Sequence, residues 1–85
     1  MKYLRRQPGI YPIKTHGASL MGQAGLPDIV GCCNGKFFGI EVKQPGKAPT
    51  PIQLFQLRQI RKAGGHTLVA VNVDQVKEFI EGLDR

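Results

Sequence analysis

Two carboxylates stand alone in the part of the sequence that carries most of the positive charge. Asp28 and Glu41 are the only acids in positions 1 to 73, and ten of the twelve Lys and Arg residues lie there too, because only Lys77 and Arg85 follow. A surface that binds phosphate groups excludes carboxylates, so any that remain are expected to have a specific task. Charge alone equally favours a second interpretation, in which both are ordinary surface acids paired with a Lys or Arg.

The residues between the two acids predict that they meet. Asn34-Gly35 separates two apolar runs, residues 28–33 and 36–43. Asn-Gly is the strongest short-range hairpin signal, because both central residues of a type I′ turn need positive φ. Counting outward from a two-residue turn sets Asp28 directly opposite Glu41, with Cβ atoms about 4.5 to 5.5 Å apart. Like charges placed that way destabilise a hairpin unless a cation lies between them, and oxygen ligands favour Mg²⁺ or Mn²⁺.

Lys43 shares a strand face with this acid pair. Alternation along the second strand directs Gly39, Glu41 and Lys43 to one face and the apolar side chains between them to the other. Glu41 and Lys43 are two strand steps apart, about 6.7 Å, which leaves room for a water molecule. Lys43 could orient or deprotonate that water, or stabilise negative charge on a phosphate in the transition state. The alternative is a strand-end lysine that reaches into solvent.

The elements around the hairpin predict a mixed α/β fold. We expect a short helical turn over Met1 to Gln7, an edge strand over Ile10 to Thr15 and a glycine-rich loop over Gly17 to Gly25 that lines the site. Thr50 and Pro51 begin a helix. A buried face is predicted for that helix from Leu54, Phe55, Leu57 and Ile60.

The last third of the chain predicts a crossover strand and a final helix. Thr67 to Val73 is a nearly continuous apolar run, typical of a strand buried on both faces, and Asp74 is expected to cap a helix. That helix has an apolar side made by Val76, Phe79, Ile80 and Leu83. A strand that follows a hairpin and a helix is expected to cross over onto the same sheet, so the fold class is α/β, with the hairpin and crossover strand in one sheet flanked by helices.

Composition limits the functions to consider. Eighty-five residues suit a single domain, and a chain so short gains stability from self-association, so a dimer is expected. The net charge of +6 favours a polyanionic partner, with nucleic acid first. The sequence offers neither a membrane-spanning run nor a signal-peptide pattern, so we expect a cytoplasmic protein without membrane association. Cys32 and Cys33 are adjacent, which suits neither a disulfide framework nor a zinc site.

Taken together, these residues resemble the virus-type replication-repair nuclease (VRR-NUC) domain of the PD-(D/E)xK nuclease superfamily. The matching segments are Gly25-Leu26-Pro27-Asp28, Ile40-Glu41-Val42-Lys43, Gly46 and Gln53, and the likeness covers about residues 10 to 73. The resemblance implies a restriction-endonuclease-like core and a Mg²⁺ ion, with Mn²⁺ able to substitute. It also implies homodimers that cut branched DNA such as four-way (Holliday) junctions, in a bacterial or phage-infected cell.

The same resemblance assigns roles to individual residues. Asp28, Glu41 and the backbone carbonyl of Val42 would hold the metal, Lys43 would assist the attacking water, and Gln53 would lie at the active site. Gln53 also stands where a capping-box glutamine bonds back to Thr50, so a purely structural role has equal weight. Members of the family usually carry a glutamate on an N-terminal helix, and residues 1 to 27 contain no acid.

Two other function classes fit the same charge pattern. One is a catalytically silent nucleic-acid-binding module, and the other is an assembly protein whose basic surface meets an acidic partner. Metal-dependent cleavage separates the nuclease from both, and a steep loss of affinity with salt separates the binding module from the assembly protein. Candidate phosphate contacts, each with a solvated-surface alternative, are Arg5, Arg6, Lys14, Lys36 and Lys47.

Overall fold

Seven elements build the chain, and the computed structural model describes residues 1–15 and 23–84. In chain order they are α1 (Lys2–Arg6), β1 (Ile10–Lys14), β2 (Ile29–Cys33), β3 (Lys36–Val42), α2 (Pro51–Lys62), β4 (His66–Ala70) and α3 (Val73–Leu83).

The four strands form one mixed sheet in the order β1-β2-β3-β4. β1, β2 and β3 are antiparallel neighbours, and β4 joins β3 in parallel after the α2 crossover. The tight turn between β2 and β3 has φ of 49° at Asn34 and 85° at Gly35, the positive values that a type I′ turn requires. The α/β class predicted from the sequence is therefore confirmed, and a mixed sheet flanked by helices is consistent with a restriction-endonuclease-like core.

The hairpin register fixes which side chains share a face. β2 and β3 pair from Cys33 with Lys36 to Ile29 with Ile40, which is the register that the Asn-Gly turn predicts. One sheet face contacts α1 and α3, and we call it the core face. The opposite face carries Glu41, and we call it the acid face.

The core face holds most of the hydrophobic interior. Phe38 and Ile40 of β3 have no exposed surface, and α3 packs its apolar side over them, as predicted. The buried cluster is Leu4, Ile29, Cys33, Phe38, Ile40, Ala70, Val76, Ile80 and Leu83. Burial also raises the pKa of the Cys33 thiol, which suits a packing role rather than a reactive one.

On the acid face, α2 packs mainly over β3 and β4. A Cβ atom at Gly39 would lie 2.8 Å from the Ile60 side chain, so a glycine is needed for the helix to approach β3 this closely. Leu57 of α2 is buried as well. The prediction of a wider buried face on α2 is wrong for Leu54 and Phe55, which are exposed, because the helix lies over one half of the sheet.

Two predictions for the last third of the chain are corrected. The strand expected to be buried on both faces is an edge strand, and its run ends at Ala70, so Val69 and Val71 remain partly exposed. The cap of α3 is Asn72 rather than Asp74: Asn72 Oδ1 accepts a hydrogen bond from Gln75 N at 2.9 Å, and Asp74 lies in the first turn. Pro12 lies on the other edge strand, as predicted.

Across residues 1–15 and 23–84, no helix has the length and apolar character needed to cross a membrane.

Candidate active site

Asp28 and Glu41 come together where the β2–β3 ladder ends. The last ladder pair is Ile29 with Ile40, so the next position on each strand sets Asp28 opposite Glu41 on the acid face. The Asp28 carboxylate also extends the ladder, since its Oδ2 accepts a hydrogen bond from Val42 N at 2.8 Å. The sequence prediction that this turn brings the two acids together is therefore confirmed.

The backbone that carries Asp28 is anchored by Thr15, the residue that directly follows β1. Thr15 N donates to Asp28 O at 2.8 Å, and Thr15 Oγ1 donates to Pro27 O. The Thr15 side chain is 3% exposed, so these bonds are shielded from water. The sequence analysis does not predict this role of Thr15. The one sequence signal for it is a small polar residue at the end of the β1 run.

α2 anchors the same segment from the other side. Gly25 has φ of 76°, and a Cβ atom there would lie 2.8 Å from Ile52 Cγ1 and 3.0 Å from the Ile52 backbone. Gln56 Nε2 donates to Ala24 O at 2.9 Å. The turn before Asp28 therefore rests directly on the first turns of α2, and only glycine combines this φ with so close an approach. Residues 16–22 of the predicted site-lining loop lie outside the described residues.

Glu41 is a buried carboxyl in an unfavourable setting. Its side chain is 2% exposed, and Oε2 has no hydrogen-bond partner within the described part of the chain. Burial, followed by the hydrogen bond and negative charge of Asp28, raises the pKa of Glu41 from 4.5 to about 7. At neutral pH and without a cation, the folded chain thus holds a proton on Glu41 for much of the time.

Lys43 is the positive group that opposes this effect. Its ammonium lowers the pKa of Glu41, so its charge acts on the buried carboxyl as the shared strand face predicts. The backbone N of Lys43 donates to Ala70 O at 2.9 Å, which holds the residue beside β4, and its side chain is half-buried. A positive charge beside two carboxylates and open to solvent on one side is able to meet a phosphate group.

The donor set fits a hard divalent cation. Two carboxylates lie opposite each other, and Glu41 Oε2 is a buried oxygen without a partner among the described residues. The N–H and C=O of a strand residue point to the same side, so the Val42 carbonyl is directed toward the strand that carries Asp28, as its N–H is. No third His, Cys, Asp or Glu completes a cluster within residues 1–15 and 23–84. Mg²⁺ commonly uses one or two carboxylates and keeps several waters, so the pair suffices.

Gln53 forms the capping box predicted as one of its two roles. Thr50 N donates to Gln53 Oε1 at 2.9 Å, and Gln53 N donates to Thr50 Oγ1 at 3.3 Å. The first bond uses the side-chain amide oxygen of Gln53, so a role at the active site would fall to the amide nitrogen. Such a role stays a prediction.

The five candidate phosphate contacts are spread over the molecule. Lys36 belongs to the core face, where Nζ donates to Leu83 O at 2.6 Å and satisfies the end of α3. Lys14 pairs with Ile29 and so lies on the core face as well. The other three candidates are exposed, and they lie at the end of α1 and in the connector before α2: Arg5, Arg6 and Lys47. A role in DNA binding stays a prediction for all five.

No family model and no curated protein matches this chain. The family resemblance therefore rests on the motif residues and on the geometry that brings Asp28, Glu41 and Lys43 together.

Proposed function

We propose that this protein is a metal-dependent endonuclease that hydrolyses phosphodiester bonds in DNA. The observation that carries the proposal is the pairing of the only two acids in the first 73 residues, with a Glu41 oxygen that is buried and unpartnered among the described residues. Burying two like charges together lowers stability, and a cation bound between them would offset that loss. A chance pair of surface acids would leave both carboxylates in water.

The proposed chemistry divides among three side chains. Asp28, Glu41 and the Val42 carbonyl would hold a Mg²⁺ ion, for which Mn²⁺ could substitute. When bound, such an ion neutralises charge on the phosphate and lowers the pKa of an attacking water. Lys43 orients or deprotonates that water, or stabilises charge that develops on the phosphate oxygens.

Substrate and assembly are part of the same proposal. A net charge of +6 supports a polyanionic substrate, and the VRR-NUC resemblance supports branched DNA, such as a four-way junction, in replication or repair. A homodimer would present two sites to the two strands that must be cut symmetrically at a junction. The setting would be the cytoplasm of a bacterial or phage-infected cell.

The test is a cleavage assay on labelled four-way junction, flap, duplex and single-stranded DNA with Mg²⁺, Mn²⁺ or EDTA. We expect metal-dependent nicks placed symmetrically across the junction. Asp28→Asn, Glu41→Gln and Lys43→Ala should each lower the cleavage rate at least 100-fold, the size of effect typical of a lost transition-state contact, while DNA affinity changes little. Glu78→Gln is the matched control, because Glu78 is an exposed acid on α3.

Two results would contradict the proposal. DNA binding without cleavage in any metal would favour the catalytically silent binding module, for which the absence of acids from residues 1–27 is the supporting observation. Parallel loss of cleavage and binding in all three variants, together with loss of folding, would show that the acid pair is only structural.

A further inference from the structure

Two exposed aromatic rings lie on the same sheet face as the acid pair. Tyr11 of β1 pairs with Cys32 of β2, which in turn pairs with Phe37 of β3, so the three side chains form one row across the acid face. Tyr11 is 70% exposed and Phe37 is 47% exposed. Ile13, in the neighbouring row, is exposed as well, and adjoining exposed apolar groups often mark a binding site, whereas single scattered ones are normal.

The acid pair lies two rows further along the strands on the same face. The next row on the acid face is Ile13, Val30 and Gly39, and the row after it contains Asp28 and Glu41. Glu41 lies four strand steps beyond Phe37, which is about 13 Å. The distance is short enough for one extended nucleic-acid strand to lie over the rings and reach the acid pair.

The helices leave this half of the face open. α2 packs against β3 and β4, where Gly39 and Gly65 let Ile60 approach the sheet. α1 and α3 belong to the core face. Among the described helices, α2 is the one on the acid face; its main contacts are with β3 and β4, and Tyr11 and Ile13 of β1 remain exposed there. We call Tyr11, Ile13, Val30, Cys32 and Phe37 the aromatic platform.

Charge decides between two occupants of the aromatic platform. A second copy of the chain on the aromatic platform would bring two acid faces together. Each is bordered by Lys43 and by the basic residues of α2 (Arg58, Arg61 and Lys62), and these like charges would repel. A nucleic-acid strand supplies negative phosphates for that charge and flat bases for the rings. Base stacking on exposed aromatic side chains of a sheet is a common means of holding unpaired nucleotides.

We propose that unpaired nucleobases stack on Tyr11 and Phe37 while a phosphate of the same strand lies at the Asp28–Glu41 pair. The inference rests on the proposed nuclease function and specifies its substrate. Bases inside a duplex are stacked on each other and cannot cover the rings, so the aromatic platform selects DNA with unpaired nucleotides, such as flaps, single strands and open junctions.

The first test uses a fluorescent reporter at one of the rings. The chain contains no tryptophan, so Phe37→Trp introduces a single indole at the aromatic platform. The probes are an oligothymidylate and a blunt duplex of equal length. They are titrated with Mg²⁺ into the Phe37→Trp/Lys43→Ala double variant, which is expected to bind DNA without cleaving it. We expect the oligothymidylate to quench the emission strongly and the duplex to quench it little. Equal quenching by both probes, or quenching by neither, would overturn the proposal.

The second test measures the contribution of each ring to affinity. Tyr11→Ala and Phe37→Ala should each weaken oligothymidylate binding about ten-fold, the effect typical of losing one base–aromatic stack, and change duplex binding less than two-fold. Phe37→Tyr should bind oligothymidylate as the wild type does, because it keeps an aromatic ring at this position. Phe55→Ala is the matched control, since Phe55 is 43% exposed on α2 and is not part of the aromatic platform.

Two outcomes with these ring variants would overturn the proposal. Equal loss of single-strand and duplex affinity would mean that the rings do not read unpaired bases. A shift of the Tyr11→Ala/Phe37→Ala double variant from dimer to monomer in analytical ultracentrifugation, without a selective loss of oligothymidylate binding, would make the aromatic platform an interface between copies.

The design separates this inference from the proposed function. If the wild-type protein cleaves DNA but the rings make no selective contribution, stacking is wrong and the nuclease stands. If the rings bind oligothymidylate selectively but no metal supports cleavage, the nuclease is wrong and stacking stands.

Discussion

The two faces of the central sheet use the same strands for opposite purposes. On the core face, Phe38 and Ile40 are fully buried against α3 and belong to one continuous apolar cluster. On the acid face, Glu41 is equally buried, but it has a raised pKa and an oxygen without a partner among the described residues. Neighbouring residues of β3 thus contribute stability on one side and oppose it on the other.

The difference teaches how a small chain can carry a costly site. Burial of apolar surface stabilises the fold by about 25 cal/mol per Å², whereas burial of a carboxyl beside another carboxyl costs free energy. The core face can offset that cost because α1 and α3 seal it on one side of the sheet. On the acid face α2 leaves part of the sheet open, and the open part is where a substrate has access.

The largest expected effect comes from the core face. Phe38→Ala removes a ring with no exposed surface, and such truncations cost about 3–5 kcal/mol from lost burial and the remaining cavity. Urea unfolding should detect this loss as a lower midpoint with an unchanged slope. A loss below about 1 kcal/mol would show that α3 does not pack on β3 as described.

The second prediction concerns pH on the acid face. The pKa of Glu41 is about 7 in the folded chain and near 4.5 when unfolded, so between these values the folded state binds the extra proton. Stability should therefore fall as pH rises from about 4.5 to 7, by about 3 kcal/mol in total without metal. Urea unfolding across that range in EDTA measures the fall.

Glu41→Gln sharpens this pH prediction. Because the amide does not ionise, the variant should lack the Glu41 part of the fall and should be about 1–3 kcal/mol more stable than wild type at pH 8. Glu78→Gln, an exposed acid, serves as the control and should leave the pH profile unchanged. A Glu41→Gln protein less stable than wild type at pH 8 would contradict the cost assigned to the buried carboxyl.

The third prediction tests whether a cation reverses that cost. A ligand that binds only the folded state stabilises it by about 2.7 kcal/mol at 100 times its Kd. We expect Mg²⁺ or Mn²⁺ to raise the melting temperature of the wild type at pH 8, and to raise that of Glu41→Gln much less. Samples in EDTA give the baseline melting temperature of both proteins. Equal shifts in the two proteins would mean that the ions act elsewhere.

Local sequence signals predicted the hairpin and its acid pair, because their geometry depends on only a few neighbouring residues. Asn34-Gly35 sets the turn type, and the turn type sets the register that brings Asp28 opposite Glu41. The start of α2 was likewise predictable, since Thr50 and Gln53 form a capping box within four consecutive residues.

The sequence did not predict which apolar residues would remain uncovered. Hydrophobic periodicity shows which side chains favour burial, but the number of elements available to cover them is a property of the whole fold. β4 is an edge strand and α2 covers half of one face, so Val69 and Leu54 stay partly exposed despite their apolar pattern. Thr15 was missed for a related reason, because its bonds to Pro27 and Asp28 cross between β1 and the segment before β2.

The smallest expected change in stability decides between the two roles of Gln53. Glutamate also completes a capping box, so Gln53→Glu should keep the bond from Thr50 N and change the free energy of unfolding by less than about 0.5 kcal/mol. The variant removes the amide N–H₂ donor and adds a negative charge at position 53. If the amide nitrogen serves the active site, cleavage should fall at least ten-fold while stability is kept.

Thr50→Ala is the matched control for Gln53→Glu. It breaks the cap from the other side and should cost about 1 kcal/mol while it leaves the Gln53 amide nitrogen in place. Cleavage rates measured below the melting range should therefore be nearly normal in Thr50→Ala and low in Gln53→Glu. Normal cleavage in Gln53→Glu would reduce Gln53 to its capping role, and the acid face would then depend on Asp28, Glu41 and Lys43 alone.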